Sequence, residues 1–265
     1  MSTIRAHRLQ QYTNPRQRGW DPYDNAHPLL RWYFYRRLDV ALRLAEVQPH
    51  HRVLDLGCWM GHLMVSLAER AAVAIGVDRA DEICREPFFE ARVAGWNCLQ
   101  IAHEMIASEL PQARAASLLL RGDLLTLPVE SASIDIVFCL DTLEHIADPA
   151  SALAEIWRSL RPGGLLIFAA PIEFGLALVA RQIAGVLTGF FREPYSLVQM
   201  VQTLATNRSP AEKARGGMHH AGYDWRTDLD LLHAKFAIER LTFVPLPLLG
   251  SMNPTVMIRA RKEAR

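Results

Sequence analysis

The chain has 265 residues, half of them hydrophobic and 22% charged, and 29 Lys and Arg against 28 Asp and Glu leave a formal net charge of +1. At roughly 150 residues per domain this is a one- or two-domain globular chain with room for a large core, which excludes a disordered or fibrous protein. A balance so close to neutral gives no electrostatic case for a DNA-binding protein. Cys58, Cys84, Cys98 and Cys139 lie far apart with no Cys-x-x-Cys pair, the usage of reduced thiols in a cytosol. No apolar run follows Arg5 and Arg8, so neither a secretory signal nor a stop-transfer segment is expected, and the cytoplasmic mature chain should begin near Met1.

In chain order, the first 43 residues hold eight arginines against Asp21, Asp24 and Asp39, a local charge of about +5 interleaved with Trp20, Tyr23, Trp32, Tyr33, Phe34 and Tyr35. Pro28 to Ala45 reads as a helix with proline at its start. Residues 1–50 are therefore expected as an N-terminal helical segment packed on a domain spanning 51–265. A surface for an anionic ligand, a membrane or RNA is the alternative use of its arginines. From His51 the pattern alternates between short apolar strands and helices, which predicts strands at Arg52–Asp55, Val73–Val77, Ala116–Leu120, Ile134–Leu140 and Gly164–Ala170. The clearest helix opens at Asp148-Pro149, carries Leu153, Ile156, Trp157 and Leu160 on one face, and stops at the Arg161-Pro-Gly-Gly164 turn. Residues 172–222 read as an insertion capping the sheet. Within it, the apolar run from Phe174 to Phe191 is interrupted by Arg181 and Gln182, so a bilayer span is disfavoured and a buried helix, a lid or a monotopic membrane contact remain. A helix at Thr227–Lys235 and strands at Ile238–Val244 and Thr255–Ala260 close the sheet. The predicted fold is α/β, a Rossmann-like doubly wound, mostly parallel sheet with helices on both faces, an N-terminal helical segment and a helical cap after the fifth strand.

The site-bearing motif is Val53-Leu-Asp-Leu-Gly-Cys-Trp-Met-Gly61, a strand running into a glycine turn and a helix from His62 to Arg70. In a doubly wound sheet this turn lies where ligands meet the carboxyl end of the first strand. Trp59 and His62 stand where a dinucleotide fingerprint needs glycines, and no Gly-Lys-Ser/Thr follows, so nicotinamide, flavin and nucleoside-triphosphate sites are disfavoured. Asp55 would repel pyrophosphate and attract an ammonium or sulfonium. Asp78, 21 residues after Gly57, has the spacing of a carboxylate that accepts ribose hydroxyls, and Asp123, in Arg121-Gly-Asp-Leu-Leu-Thr-Leu-Pro128, could accept from an adenine amino group.

With these residues in order, the chain resembles the class I S-adenosylmethionine-dependent methyltransferases over about His51 to Ala170. VLDLGCWMG is similar to that family's first motif, Asp78 to its ribose acid and Gly122-Asp123-Leu124 to its adenine-side motif. Ile134 to His145 is similar to its fourth strand, and Leu160-Arg-Pro-Gly-Gly-Leu-Leu166 to the turn into its fifth. The resemblance implies S-adenosylmethionine as cofactor, held by Asp55, Gly57, Cys58, Trp59, Gly61, Asp78, Arg79, Asp123, Leu124 and Leu140. Trp59 departs from the commoner middle glycine, and the link Arg79 to Gln112 is longer than usual, which predicts an extra helix.

In that fold the segment after the fourth strand faces the transferred methyl, which makes Asp141, Glu144 and His145 the first candidates for a general base. His219 or His220, in Met218-His-His-Ala-Gly-Tyr-Asp-Trp225, is the alternative. Asp141, Glu144 and His145 also carry metal-type donors, as in some quinone-biosynthesis methyltransferases that use a divalent ion, but no metal site is expected here. The Asn/Asp-Pro-Pro-Tyr signature of amino-group nucleic-acid methyltransferases is missing. The expected acceptor is a small, hydrophobic or lipid-like molecule, with a peripheral membrane contact as a possible partner surface. The alternatives are an RNA methyltransferase that uses the Arg-rich N-terminus and a non-catalytic S-adenosylmethionine-binding module.

Overall fold

The computed structural model describes residues 23, 27–79, 99, 102, 106–107, 116–188, 195–210 and 220–263. Helix α1 (Pro28–Ala45) opens on Pro28 and ends at Glu46 in the left-handed conformation. Strand β1 (Arg52–Leu56), helix α2 (His62–Arg70) and strand β2 (Val73–Asp78) follow. Then come β3 (Ala116–Arg121), β4 (Ile134–Leu140), a single 3-10 turn (Leu143–His145) and α3 (Pro149–Ser159). Strand β5 (Leu160–Pro171) leads into α4 (Gly175–Thr188) and α5 (Leu197–Thr206), and the described chain closes with α6 (Trp225–His233), β6 (Ala237–Val244), a 3-10 segment at Pro247–Met252 and β7 (Thr255–Arg261).

The seven strands form one sheet in the order β3-β2-β1-β4-β5-β7-β6. Every pairing from β3 to β5 is parallel, and β7 runs antiparallel to both its neighbours. This is the doubly wound α/β sheet expected from the strand–helix alternation. The order reverses between β1 and β4, so the chain leaves these adjacent strands toward opposite sides and opens a crevice at their carboxyl ends. Such a parallel sheet is covered on both faces. One face packs Leu38, Ala41 and Leu42 of α1 and Leu63, Met64 and Leu67 of α2 over Val53, Phe138 and Ile167. The other packs Leu153 and Ile156 of α3 and Trp225 and Leu232 of α6 over Leu54, Val137 and Phe168.

Boundaries differ from the sequence expectation where capping and pairing decide them. The Asp148 carboxylate accepts from Ser151 N at 3.1 Å, fixing the start of α3 as its sequence predicts. Helix α6 begins two residues before the expected Thr227, because Asp224 caps it by accepting from Arg226 N. The fifth strand is longer than expected. Leu160 already pairs with Ile134, and the Arg161-Pro-Gly-Gly164 turn is a bulge in the ladder before Leu165 pairs with Ile136. Cys58 and Cys139 are buried free thiols, whereas Cys84, Cys98 and the expected extra helix within 79–112 fall largely outside the described residues. The apolar run in the cap forms α4, and among the described residues no helix is long and apolar enough to cross a membrane.

Phe138 is fully buried at the centre of the sheet, whereas Leu248 is 101% exposed. Phe138→Ala should therefore lower the unfolding free energy by about 3–5 kcal/mol and Leu248→Ala by less than about 0.5 kcal/mol, as read by urea denaturation. Equal losses would contradict this assignment of the core.

Candidate functional site

The turn after β1 has three left-handed residues in five: Gly57 (φ 68), Trp59 (φ 49) and Gly61 (φ 79). Glycine is required at 57, where a Cβ would lie 2.4 Å from Thr142 Oγ1, and at 61, where it would lie 2.6 Å from Ala102 Cβ. Trp59 keeps the glycine-like path of the turn although a side chain there costs on the order of 1–2 kcal/mol. Its amide donates to Asp78 Oδ2 at 2.6 Å, while Gly57 N donates to Val77 O at 2.8 Å. The turn after β1 and the end of β2 are thereby one unit.

Asp55 and Asp78 sit at the ends of adjacent strands and are 4% and 3% exposed. Burial pushes the Asp55 carboxyl well above the usual carboxylate range, and the nearby Asp78 pushes it further. Burial also raises Asp78, opposed by the amides of Trp59 and Arg79 that donate to it. Two carboxyls confined in this way favour a ligand that brings positive charge to one and hydroxyl donors to the other. Asp123 is placed differently. Its Oδ1 accepts from Leu125 N at 2.9 Å within its own turn and its Oδ2 lies 3.9 Å from Arg79, while the neighbouring Leu124 faces the cavity.

Past β4, Asp141 adopts φ 48 and Thr142 Oγ1 lies 3.0 Å from both Leu56 O and Leu140 O, tying this loop to the end of β1. Glu144 is buried, and His145 lines the cavity. His145 Nε2 lies 3.3 Å from His220 Nε2, and His220 Nδ1 lies 3.5 Å from Oε1 of the fully buried Glu173, which Arg181 of α4 also engages. Of the two adjacent histidines, His220 is therefore the one at His145, and His219 lies outside the described residues. Donor atoms of Glu144, His145 and His220 all lie within 4.8 Å of one another. Asp141, grouped with Glu144 and His145 in the sequence, is not in this cluster because Arg37 holds it in an ion pair.

Arg37 is the site residue that the sequence reading missed. Phe34, Arg37 and Leu38 recur at i, i+3 and i+4 on α1, a spacing that shares one face, and all three line the cavity. The guanidinium is buried, pairs with Asp141 and stacks 5.0 Å from the Phe34 ring centroid. Tyr23 stacks on His62 at 4.1 Å and adds to the same wall. The cavity is about 350 Å³ and is lined by Asp55, Gly57, Cys58, Trp59, Asp78, Arg79, Leu124 and Leu140, eight of the residues expected to hold the cofactor, together with Asp141 and His145. Gly61, packed against Ala102, and Asp123 are not among its lining residues.

The donor set fits S-adenosylmethionine. Asp78 can accept from a ribose diol, Asp55 can face a cationic group, and Arg37 can take a carboxylate in place of Asp141, with Leu124 and Leu140 as apolar walls for a purine. Arg37→Ala should weaken binding of S-adenosylhomocysteine at least tenfold in titration calorimetry, with the variant folded by circular dichroism. Asp123→Ala, whose carboxylate serves its own turn, should stay within about threefold of wild type. The reverse order of effects would contradict this placement.

Residues 54–168 match the family model of the Methyltransferase domain. A ubiquinone biosynthesis O-methyltransferase of Paraburkholderia phymatum is 28% identical over 171 residues, covering 63% of this chain and 64% of that protein. The chain thus matches less than two thirds of that relative's length. An uncharacterized 37.1 kDa protein in transposon TN4556 of Streptomyces fradiae is 34% identical over 135 residues, half of this chain and a third of that one. Among solved structures, a magnesium protoporphyrin IX methyltransferase from Synechocystis with bound S-adenosylhomocysteine superposes with a TM-score of 0.56 at 16% identity, covering 90% of this chain and 89% of that one. The SpnF cyclase superposes equally well, with a TM-score of 0.56 at 16% identity over 87% of this chain and 82% of that one. With the glycine turn, the two strand-end acids and the sheet order in place, residues 54–168 form a methyltransferase domain of the class I S-adenosylmethionine-dependent type.

Proposed function

We propose that the protein transfers a methyl group from S-adenosylmethionine to a hydroxyl of a small, hydrophobic acceptor, with His145 as general base. The observation that carries this reading is the placement of His145 in the wall of the cavity that also contains Asp55 and Asp78. When bound, S-adenosylmethionine supplies an already activated methyl whose sulfur leaves as a neutral thioether, so the chain's own contribution is alignment, exclusion of water and removal of one proton. A proton taken from the acceptor hydroxyl is held on the His145–His220 pair, whose Nε2 atoms are 3.3 Å apart, and Glu173, 3.5 Å behind His220, offsets the positive charge. Asp141 remains the partner of Arg37 and takes no proton.

The relatives named ubiquinone biosynthesis O-methyltransferase favour an oxygen acceptor. The apolar part of the cavity wall, with Phe34, Leu38, Leu63 and Ile146, favours a hydrophobic one. An RNA acceptor is less well supported, since Arg37 turns into the cavity rather than toward a polyanion.

Radiolabelled methyl from S-adenosylmethionine, incubated with the protein in a host-cell lysate, should appear in the organic-extractable fraction and be absent with Asp78→Ala. His145→Ala should lower transfer by roughly a hundredfold or more while leaving the affinity for S-adenosylhomocysteine within about threefold. Label confined to the macromolecular fraction, or full activity in His145→Ala, would contradict the proposal.

A further inference from the structure

Both cap helices bury a polar side chain and leave aliphatic ones exposed. On α5 the polar Thr203 is fully buried, its Oγ1 accepting from Gly175 N at 2.6 Å and donating to Arg208 O at 2.7 Å. Leu197, Val198, Val201 and Leu204, at i, i+1, i+4 and i+7 on the opposite side, are 46–77% exposed. On α4 the polar Gln182 is buried, whereas Ile183, Val186 and Leu187 are 56–74% exposed. A helix at a water-facing surface shows the reverse arrangement. The 3-10 segment Pro247–Met252 packs against α4 and continues this surface, with Leu248 fully exposed. Exposed aliphatic side chains on three packed neighbouring elements form a face of the kind that marks an interaction surface.

Its charges indicate the occupant. Residues 175–188, 195–210 and 245–254 contain no Asp or Glu and two arginines, of which Arg181 is turned inward to Glu173 and Arg208 is exposed. The start of α1 adjoins the same face, because Tyr33 Oη lies 2.5 Å from Thr255 Oγ1, immediately after the 245–254 segment. Residues 28–36 are again free of acids and contribute Arg31, Arg36 and the exposed Trp32 and Leu29. Exposed Leu and Val without anions, bordered by arginines and a tryptophan, differ from the aromatic-rich centre of a protein–protein interface and match a surface that enters the headgroup layer of an anionic bilayer.

We infer that α4, α5 and the 247–252 segment form a monotopic membrane-docking face that seats the protein on anionic lipid, with the start of α1 as its basic border. The face stands on the exterior of the cap and does not depend on which acceptor is methylated, so its test is separate from that of the proposed reaction. In that seating a lipid-dissolved acceptor reaches the cap without crossing water.

The test is flotation of the purified protein with vesicles of phosphatidylcholine alone and of phosphatidylcholine with one quarter phosphatidylglycerol. Wild type should float with the anionic vesicles and more weakly with the neutral ones. A triple variant, Leu187→Glu, Leu197→Glu and Leu248→Glu, all at exposed positions outside the cavity, should lose at least tenfold in partitioning with unchanged circular dichroism and unchanged affinity for S-adenosylhomocysteine. Absence of wild-type flotation with either vesicle, or equal flotation of the triple variant, would overturn the inference. A concentration-dependent dimer in sedimentation velocity that the triple variant abolishes, without vesicle binding, would overturn it in favour of a second copy of the chain on this face.

Discussion

Two carboxyl groups placed side by side out of water form the constraint around which the rest of this site is arranged. Asp55 and Asp78 lie at the ends of adjacent parallel strands, so sheet register brings them together; burial and the nearby Asp78 push the Asp55 carboxyl well above the usual carboxylate range, while burial raises Asp78 against the amides of Trp59 and Arg79. The surrounding backbone takes the shape this pair demands. Trp59 accepts a left-handed conformation and donates its amide to Asp78, and Gly57 leaves no side chain where Thr142 closes in from the neighbouring strand end. The result is an acidic end of the pocket that favours a ligand bringing positive charge to it.

The opposite wall is cationic, and it comes from outside the strand–helix repeat. Helix α1 is pinned to the far side of the sheet by Tyr33 on Thr255 and by Arg259 on Leu44 O, and these anchors aim Arg37 into the cavity. Helix α1 is therefore part of the binding site and of the core on one sheet face, as well as a border of the exposed aliphatic cap. One helix thus links cofactor recognition to the surface on which the protein is proposed to rest.

Much of this was legible in the sequence because it depends on local rules. The strand–helix alternation, the Pro28 start of α1, the Asp148 cap and the glycine turn each have a signal a few residues long, and the observed spans of α1, α2 and β4 agree with the pattern residue for residue. The Asp55–Asp78 pair was legible from spacing, since a strand, a helix and a strand of ordinary length return the chain to the same sheet edge. Arg37, Glu173 and the contact of His220 with His145 were not, because each depends on how distant elements dock. The i, i+3, i+4 recurrence of Phe34, Arg37 and Leu38 was visible, yet nothing local distinguished a face turned to the pocket from one turned to solvent. Asp123, singled out by its motif, also accepts from Leu125 N within its own turn, a local bond that the motif does not announce.

The central claim is that the buried Asp55, its pKa raised by burial and by the nearby Asp78, faces the cationic part of S-adenosylmethionine, so that binding is coupled to its ionisation. Calorimetric titration with S-adenosylmethionine at several pH values, in buffers of different ionisation enthalpy, tests it directly. A raised acid pKa means that the neutral form is favoured at low pH. Binding should therefore release a proton at the lower pH values, affinity should rise with pH through the raised pKa, and Asp55→Asn should remove both effects. Binding with no proton release and an affinity independent of pH, in wild type as in Asp55→Asn, would contradict it.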